Sequence, residues 1–396
     1  MNKPRSKLLL SAIVMLSLSV CRAADSTLPP LKQPGFTPVT GYVSCELIPV
    51  KMSDQKYYMM HELVLQNASQ ADVAITKVTL TDPLNGNRLI AEISGDDVSA
   101  LLHFAKPQEV GAVLKANQGA LLSIDTSFEK NAVPLAVDHN IYYKTLQPSI
   151  LVPETGMETI ARTAISQDKP IAVGPPLRGG NWLPMNVAHN YGHRNSFFPF
   201  NGRWYAPERW AIDYIRFTPE HALRTGPAED LHSYPAYGQD LIAVSDGKVL
   251  RVVDGLDDLK IGGKLENMTL DNLGGNLVFL DIGNGYGAFY AHIIKGTIAV
   301  REGQTVRRGQ FLGKLGNSGN STGPHLHFHI VKGDDYLAAQ GVPYVIDAFK
   351  VAGPVDTAQD LEKATYDNLP FKLAPEFVGT HTSEFPQDNT VIAFPE

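Results

Sequence analysis

Residues 321–330 read STGPHLHFHI, and the phase of this stretch decides how the C-terminal half of the chain is built. Histidine stands at 325, 327 and 329, with Leu326 and Phe328 between. In a β-strand, side chains two apart share a face. The spacing therefore predicts a strand with three imidazoles on one face and two apolar side chains sunk into a core on the other. The preceding GNSGNSTGP is turn chemistry, so the histidines open a strand directly after a loop. Imidazole is a frequent metal ligand and general base. Three in register argue for chemistry over a solvated polar face.

A glycine-punctuated β pattern surrounds this strand. DLIAVSDGKVLRVVDG (240–255) predicts a strand kinked at Asp246-Gly247. GGNLVFLDIGNGYGAFYAHI (274–293) predicts two strands joined by the turn GNGYG, with His292 at the end of the second. EGQTVRRGQFLGKLGNSGN (302–320) predicts strand, turn and strand. Long helical periodicity is missing. Upstream, RWAIDYI (209–215) places Asp213 among apolar residues in strand phase. A carboxylate there is costly to bury unless it is paired or bound to a cation.

The rest of the 396-residue chain bounds the class. Lys3, Arg5 and Lys7 precede an apolar run over 8–20 that is short for a membrane span, followed by small residues. Residues 1–23 read as a secretory signal peptide, so an exported protein, periplasmic or extracellular, with no transmembrane segment after cleavage is expected. A lipoprotein reading through Cys21 is disfavoured by the bulky Val20. The net charge of −7 becomes more negative once Lys3, Arg5, Lys7 and Arg22 leave, which argues against nucleic acid as a partner. The only other cysteine, Cys45, then has no intramolecular partner.

The all-β expectation divides the chain as follows. A proline-rich linker covers 24–40. A small immunoglobulin-like β-sandwich covers 41–145, where YYMMHELVLQNAS and ADVAITKVTLTD alternate strand residues with turn clusters. A connection covers 146–177, a glycine-rich β-sandwich domain covers 178–350, and a tail over 351–396 carries a short helix (AQDLEKATY) and a strand (NTVIAF) that packs back. His61-Glu62 opens HELVL without a second histidine four residues on, so the helical zinc-protease motif is absent there. His61, His103 and His139 read as surface or satisfied core residues.

With HLHFH, FYAH, AID, AVSDGKV and VREGQTVRRGQFLGKLGNSGNS in hand, the block 193–350 resembles the lysostaphin-type (LytM-like) zinc endopeptidases, which cut peptides in bacterial cell walls. The resemblance implies a barrel-sandwich hybrid fold, Zn2+ as cofactor and a peptidoglycan peptide as substrate. It makes Asp213 and His327 metal ligands, and His325 and His292 the pair that handle protons and steady the tetrahedral intermediate. One position departs from the family pattern: Arg209 stands four residues before Asp213, where a ligating histidine is expected. GHRNSFFPFNGRWYAPERWAIDYI resembles a branch in which the first ligand comes from upstream, with His193 the match and His189 the competitor. A hairpin about Asn201-Gly202 would return the chain and bring His193 near Asp213. His329 is a second departure, where the family often has a carboxylate, with a supporting role to the ligands. Tyr191, Arg194, Asn317 and Asn320 are candidates to shape the cleft.

The reading that follows is a secreted zinc metalloendopeptidase. The alternative is a degenerate relative that lost the metal and acts as a wall-binding or hydrolase-activating protein, with Arg209 as its evidence. A lipoyl- or biotin-carrier reading of EGQTVRRGQFLGKL lacks the lysine-bearing hairpin it needs.

Overall fold

The computed structural model describes residues 36–104, 111–149, 152–187 and 191–396. The expected signal peptide, most of the linker and His189 lie outside the described residues. Among the described residues the α-helices are short, Asp96–Leu101, Tyr191–Arg194 and Ala358–Asp367, and none is long and apolar enough to cross a membrane. The regular structure of the described residues is otherwise strands, with two short 3-10 turns at Lys130–Ala132 and Leu231–Ser233.

The N-terminal part forms two five-stranded antiparallel sheets. Tyr57–Asn67 is flanked by Val39–Val43 and Gly119–Phe128 in one, and Val73–Asp82 by Ala136–Thr145 and Arg88–Ser94 in the other. Leu63, Leu65, Leu122 and Ile124 of the first sheet share a core with Val73, Val78, Leu80 and Ile141 of the second. Each fully buried aliphatic of this kind contributes about 1.5–3 kcal/mol. Thr155–Ala164 falls inside the stretch expected to be connection, yet it is the edge strand beside Ala136–Thr145. Its half-exposed residues alternate weakly, which is why TGMETIARTA does not read as a strand.

Glu158 of that edge strand is buried, and burial pushes its carboxyl up to about 7. Between the ordinary value of 4.5 and about 7 the folded chain holds a proton that the unfolded chain has released. Stability therefore falls as pH rises through that window and stays lowered above it. Glu158→Gln is expected to raise the Tm at pH 8 and leave it nearly unchanged at pH 4. Thermal melts at the two pH values check this, and an equal shift at both would contradict it.

The C-terminal part is organised by a twelve-stranded sheet. In order across its centre run Tyr344–Pro354, Thr390–Phe394, Gly179–Met185, Ile212–Arg216, Leu326–Lys332, Tyr286–Ile293, Asn276–Asp281 and Gly247–Val253. The expected kink at Asp246-Gly247 is a full break. Asp240–Ile242 pairs with Phe311–Lys314 in a separate ribbon, and Gly247–Val253 joins the large sheet. The tail is integral, because Thr390–Phe394 sits between two sheet strands. The expected tail helix spans Ala358–Asp367, and Thr357 caps it by accepting from the Asp360 amide.

Leu326, Phe328 and Ile330 enter the main core beside Trp182, Tyr214, Tyr290 and Tyr344. Val50, Met52, Tyr58 and Met60 of the N-terminal part enter the same core. The two halves are therefore packed as neighbours with shared apolar contacts. A boundary at residue 178 cuts through one hydrophobic cluster, which segment-by-segment sequence patterning cannot register.

Candidate metal and catalytic site

Strand register assembles the site. Asp213 lies directly opposite His327 where Ile212–Arg216 pairs with Leu326–Lys332, and Ala291 lies opposite His327 on the other side. His325 sits at the mouth of its strand, one residue before Leu326. The loop that delivers it is closed by a contact only glycine permits. A Cβ on Gly275 would stand 2.4 Å from the Ser318 carbonyl oxygen, and one on Gly319 would stand 2.2 Å from the Gly275 nitrogen. Asn317 is buried in this loop and accepts from the Ser321 hydroxyl at 2.6 Å. It thus shapes the segment that leads to His325.

His193 arrives from Tyr191–Arg194, after the strand Gly179–Met185 that pairs with the Asp213 strand. Asn186 turns the chain there with φ 56°, in the left-handed region that asparagine tolerates. Its carbonyl accepts from His193 Nδ1 at 2.9 Å, and its amide donates to Asp213 Oδ2 at 2.6 Å. The Nδ1 proton is thereby committed, and His193 Nε2 faces Asp213 Oδ2 at 3.3 Å. His327 Nδ1 lies 3.0 Å from Asp213 Oδ1. One donor atom each from His193, Asp213 and His327 fall within 4.8 Å of one another. The hairpin expected from Ser196–Phe200 and Arg203–Tyr205 is present with its first strand shortened to Phe198–Phe200, turning at Asn201-Gly202 with both residues at positive φ.

His292 and His325 stand beside this trio. Their ring centroids are 4.6 Å apart, and His325 Nε2 is 3.5 Å from Asp213 Oδ1. His292 Nδ1 donates to the Ser318 carbonyl at 2.7 Å, and His325 Nδ1 to the Gly323 carbonyl at 2.8 Å. Both rings therefore carry their proton on Nδ1 and keep Nε2 as the basic nitrogen. His292 holds φ 65°, an uncommon conformation for a bulky residue and one that collects at functional sites.

The electrostatics are divided. Burial alone would disfavour both charges of the His193–Asp213 pair. Their mutual attraction outweighs it, holding His193 up to about 9 and Asp213 well below the usual carboxylate range. His325 and His292 are pushed down, chiefly by burial and, for His292, also by the neighbouring His325 and His327. Both are neutral near pH 7, the state a proton acceptor needs.

His329 lies outside the trio. It stacks on Phe289 at 4.8 Å, and its Nδ1 is 3.0 Å from His327 Nε2. The pairing fixes which nitrogen of His327 faces Asp213, the orienting role such partners play for metal-ligating imidazoles. His329→Phe is expected to weaken metal affinity about 10- to 100-fold, measured by chelator competition.

Arg209 does not point into the ligand position. It is buried, with its guanidinium on Glu62. Arg194, expected to shape the cleft, also turns away onto Glu62. For Arg194 this corrects the sequence reading, and for both the reason is a carboxylate more than 130 residues distant in the chain. Asn320 is exposed, and its backbone N–H donates to the Leu273 carbonyl. His61 and His139 are buried core residues with Nε2 atoms 2.9 Å apart, and His103 packs on Phe197. Sequence reasoning missed Asn186 and Glu208, whose Oε1 lies 3.9 Å from His327 Nε2. The one available signal was an asparagine closing the strand before the H-R pair.

Residues 232–339 match the profile of Peptidase family M23. That segment is thus similar to an M23 peptidase domain. This agrees with the lysostaphin-type resemblance of its motifs, and the matched segment holds His292, His325 and His327. Peptidoglycan DD-endopeptidase ShyA of Vibrio cholerae is 47% identical over 57 residues, 14% of this chain and 13% of that protein. An uncharacterized metalloprotease of Haemophilus influenzae is 35% identical over 109 residues, 27% of this chain and 19% of that protein. The chain thus spans less than a fifth of the length of these curated relatives. Among solved structures, the catalytic domain of lysostaphin from Staphylococcus simulans aligns with 23% identity and a TM-score of 0.21, covering 36% of this chain and 80% of that one.

Proposed function

We propose that this chain is an exported zinc metalloendopeptidase that hydrolyses peptide bonds in peptidoglycan. The observation that carries the reading is the convergence of His193, Asp213 and His327 donor atoms within 4.8 Å, beside two neutral histidines, in a chain with a segment similar to an M23 peptidase domain. Two imidazoles and one carboxylate are a donor set suited to catalytic zinc, which keeps a further position open. When bound there, zinc would acidify a water toward a pKa of about 7 and polarise the scissile carbonyl.

The remaining steps belong to side chains. Asn186 orients His193 and Asp213 together, and His329 orients His327. His325 Nε2 accepts the proton of the attacking water and returns it to the leaving amine. His292, whose ring lies 4.6 Å from that of His325 and keeps a basic Nε2, shares the proton taken from the water until it passes to the leaving amine. Arg209, the motive for a degenerate reading, is engaged on Glu62 and leaves the ligand position to His193. The relative named as a peptidoglycan DD-endopeptidase supports the substrate class.

The test is zinc content and wall digestion by the purified mature protein. About one equivalent of zinc together with release of cross-linked peptides from purified peptidoglycan is expected. A folded protein that takes up no zinc and releases nothing would refute the reading.

A further inference from the structure

Glu62 lies on Tyr57–Asn67 of the N-terminal sandwich and is fully buried. Its carboxylate accepts from both of the arginines that the site does not use. Arg194 donates through Nη1. Arg209 donates through Nε, 3.0 Å from each oxygen, and through Nη2. The Ser44 hydroxyl donates to Oε2 at 3.1 Å. Arg194 Nη2 also meets Asp125 Oδ1 at 2.8 Å and the His61 carbonyl at 3.2 Å. Two guanidinium charges thus face two carboxylates in the interior. Burial opposes ionisation of Glu62, but Arg209 and Arg194 outweigh it and hold the group at about 2, so it stays charged at working pH.

The positions of the two arginines relative to the site give this cluster its meaning. Arg194 is the residue after His193, on a four-residue helix. Arg209 is four residues before Asp213, and it also donates to the Gly341 carbonyl at 2.6 Å and to Gln340 Oε1 at 2.9 Å. Gln340–Gly341 pairs with the strand that carries His327. One carboxylate of the N-terminal sandwich therefore holds the arginines beside His193 and before Asp213, and through Arg209 it reaches the segment paired with the His327 strand. The Asp213 and His327 strands are also held to each other by sheet register. Among the described residues the His193 turn has no such ladder, and its neighbouring side chain is anchored on Glu62 of the N-terminal sandwich.

Resting on the zinc reading above, we propose that Glu62 is a positioning residue of the metal centre, and that the N-terminal sandwich is thereby a working part of the peptidase site. Removing its charge leaves two buried cations short of a partner, and the turn that presents His193 loosens.

The test compares Glu62→Gln and Arg194→Gln in the full mature protein with Asp138→Asn. The control breaks the Arg162–Asp138 ion pair, a bidentate contact at 2.6 and 2.7 Å within the same sandwich. Zinc dissociation constants come from chelator competition, and deuterium uptake of residues 191–196 is read on the metal-free proteins. Glu62→Gln and Arg194→Gln are expected to bind zinc about 10- to 100-fold more weakly and to exchange faster at 191–196. Asp138→Asn should lose thermal stability with both readouts unchanged. Unchanged zinc affinity in the folded Glu62→Gln and Arg194→Gln proteins overturns the proposal, as does an equal loss in Asp138→Asn. Arg194→Gln decides alone if Glu62→Gln does not fold. A wild-type protein that takes no zinc removes the metal reading. Exchange at 191–196 then judges the clamp by itself, and uptake equal to that of the control overturns it.

Discussion

Replacing His327 by alanine is expected to abolish both metal retention and peptide hydrolysis. His327 sits at the centre of the site, with Nδ1 3.0 Å from Asp213 Oδ1, Nε2 3.0 Å from His329 Nδ1 and its ring 4.8 Å from that of His193. Deleting the imidazole removes one of three donors and leaves the charge of Asp213 without that hydrogen-bond partner in a buried place. The chemistry supplied by a bound cation is worth several kcal/mol of transition-state stabilisation, and each 1.36 kcal/mol is a factor of ten. A loss of about 1000-fold or more in kcat/KM is the outcome consistent with that arithmetic, together with sub-stoichiometric zinc by elemental analysis. His193→Ala and Asp213→Ala should behave alike. Full activity in His193→Ala would transfer the first-ligand role to another residue, with His189 the first to examine. Retention of zinc and turnover in His327→Ala would end the assignment of His327 as a ligand.

The second large effect separates chemistry from metal binding. His325→Ala is expected to keep its zinc and lose about 100- to 10,000-fold in kcat, the usual worth of a positioned acid–base group. His325 Nε2 approaches Asp213 at 3.5 Å, but the residue is outside the trio of converging donor atoms. Its Nδ1 is committed to the Gly323 carbonyl. The pH–rate profile of the wild type should show an acidic limb, because a base held down by burial must be unprotonated to act. That limb should vanish from the residual activity of His325→Ala. Zinc analysis beside steady-state kinetics checks both halves of the expectation. Loss of zinc in this variant would make His325 a ligand and require a different base.

A large part of this architecture is legible locally. The alternation of His325, Leu326, His327, Phe328 and His329 specifies a strand and both of its faces, because the side-chain period of two leaves no other way to bury Leu326 and Phe328. GNGYG and Asn201-Gly202 specify hairpins, since positive φ is cheap only for such residues. Asp213 stands out as a carboxylate among apolar neighbours, and His292 as a histidine closing a strand. These signals depend on residues within a few positions of one another, where stereochemistry alone dictates the outcome.

What the sequence could not carry is every feature that depends on distance in the chain. The approach of His193 to Asp213 rests on Asn186 in a left-handed conformation and on Arg194 reaching Glu62, 132 residues away. Arg209 reads as a lost ligand until Glu62 and Gln340 are seen to occupy it. The separation into a sandwich, a connection and a peptidase domain follows composition along the chain, yet Met52, Tyr58 and Phe385 belong to one core. Strand phase, turns and candidate donors were determined by the sequence itself, because they follow from local backbone sterics and side-chain period. Which arginine serves a carboxylate and which histidine meets Asp213 was decided only by tertiary structure, because burial makes an unpaired charge costly and the partner that relieves it comes from wherever the fold brings one.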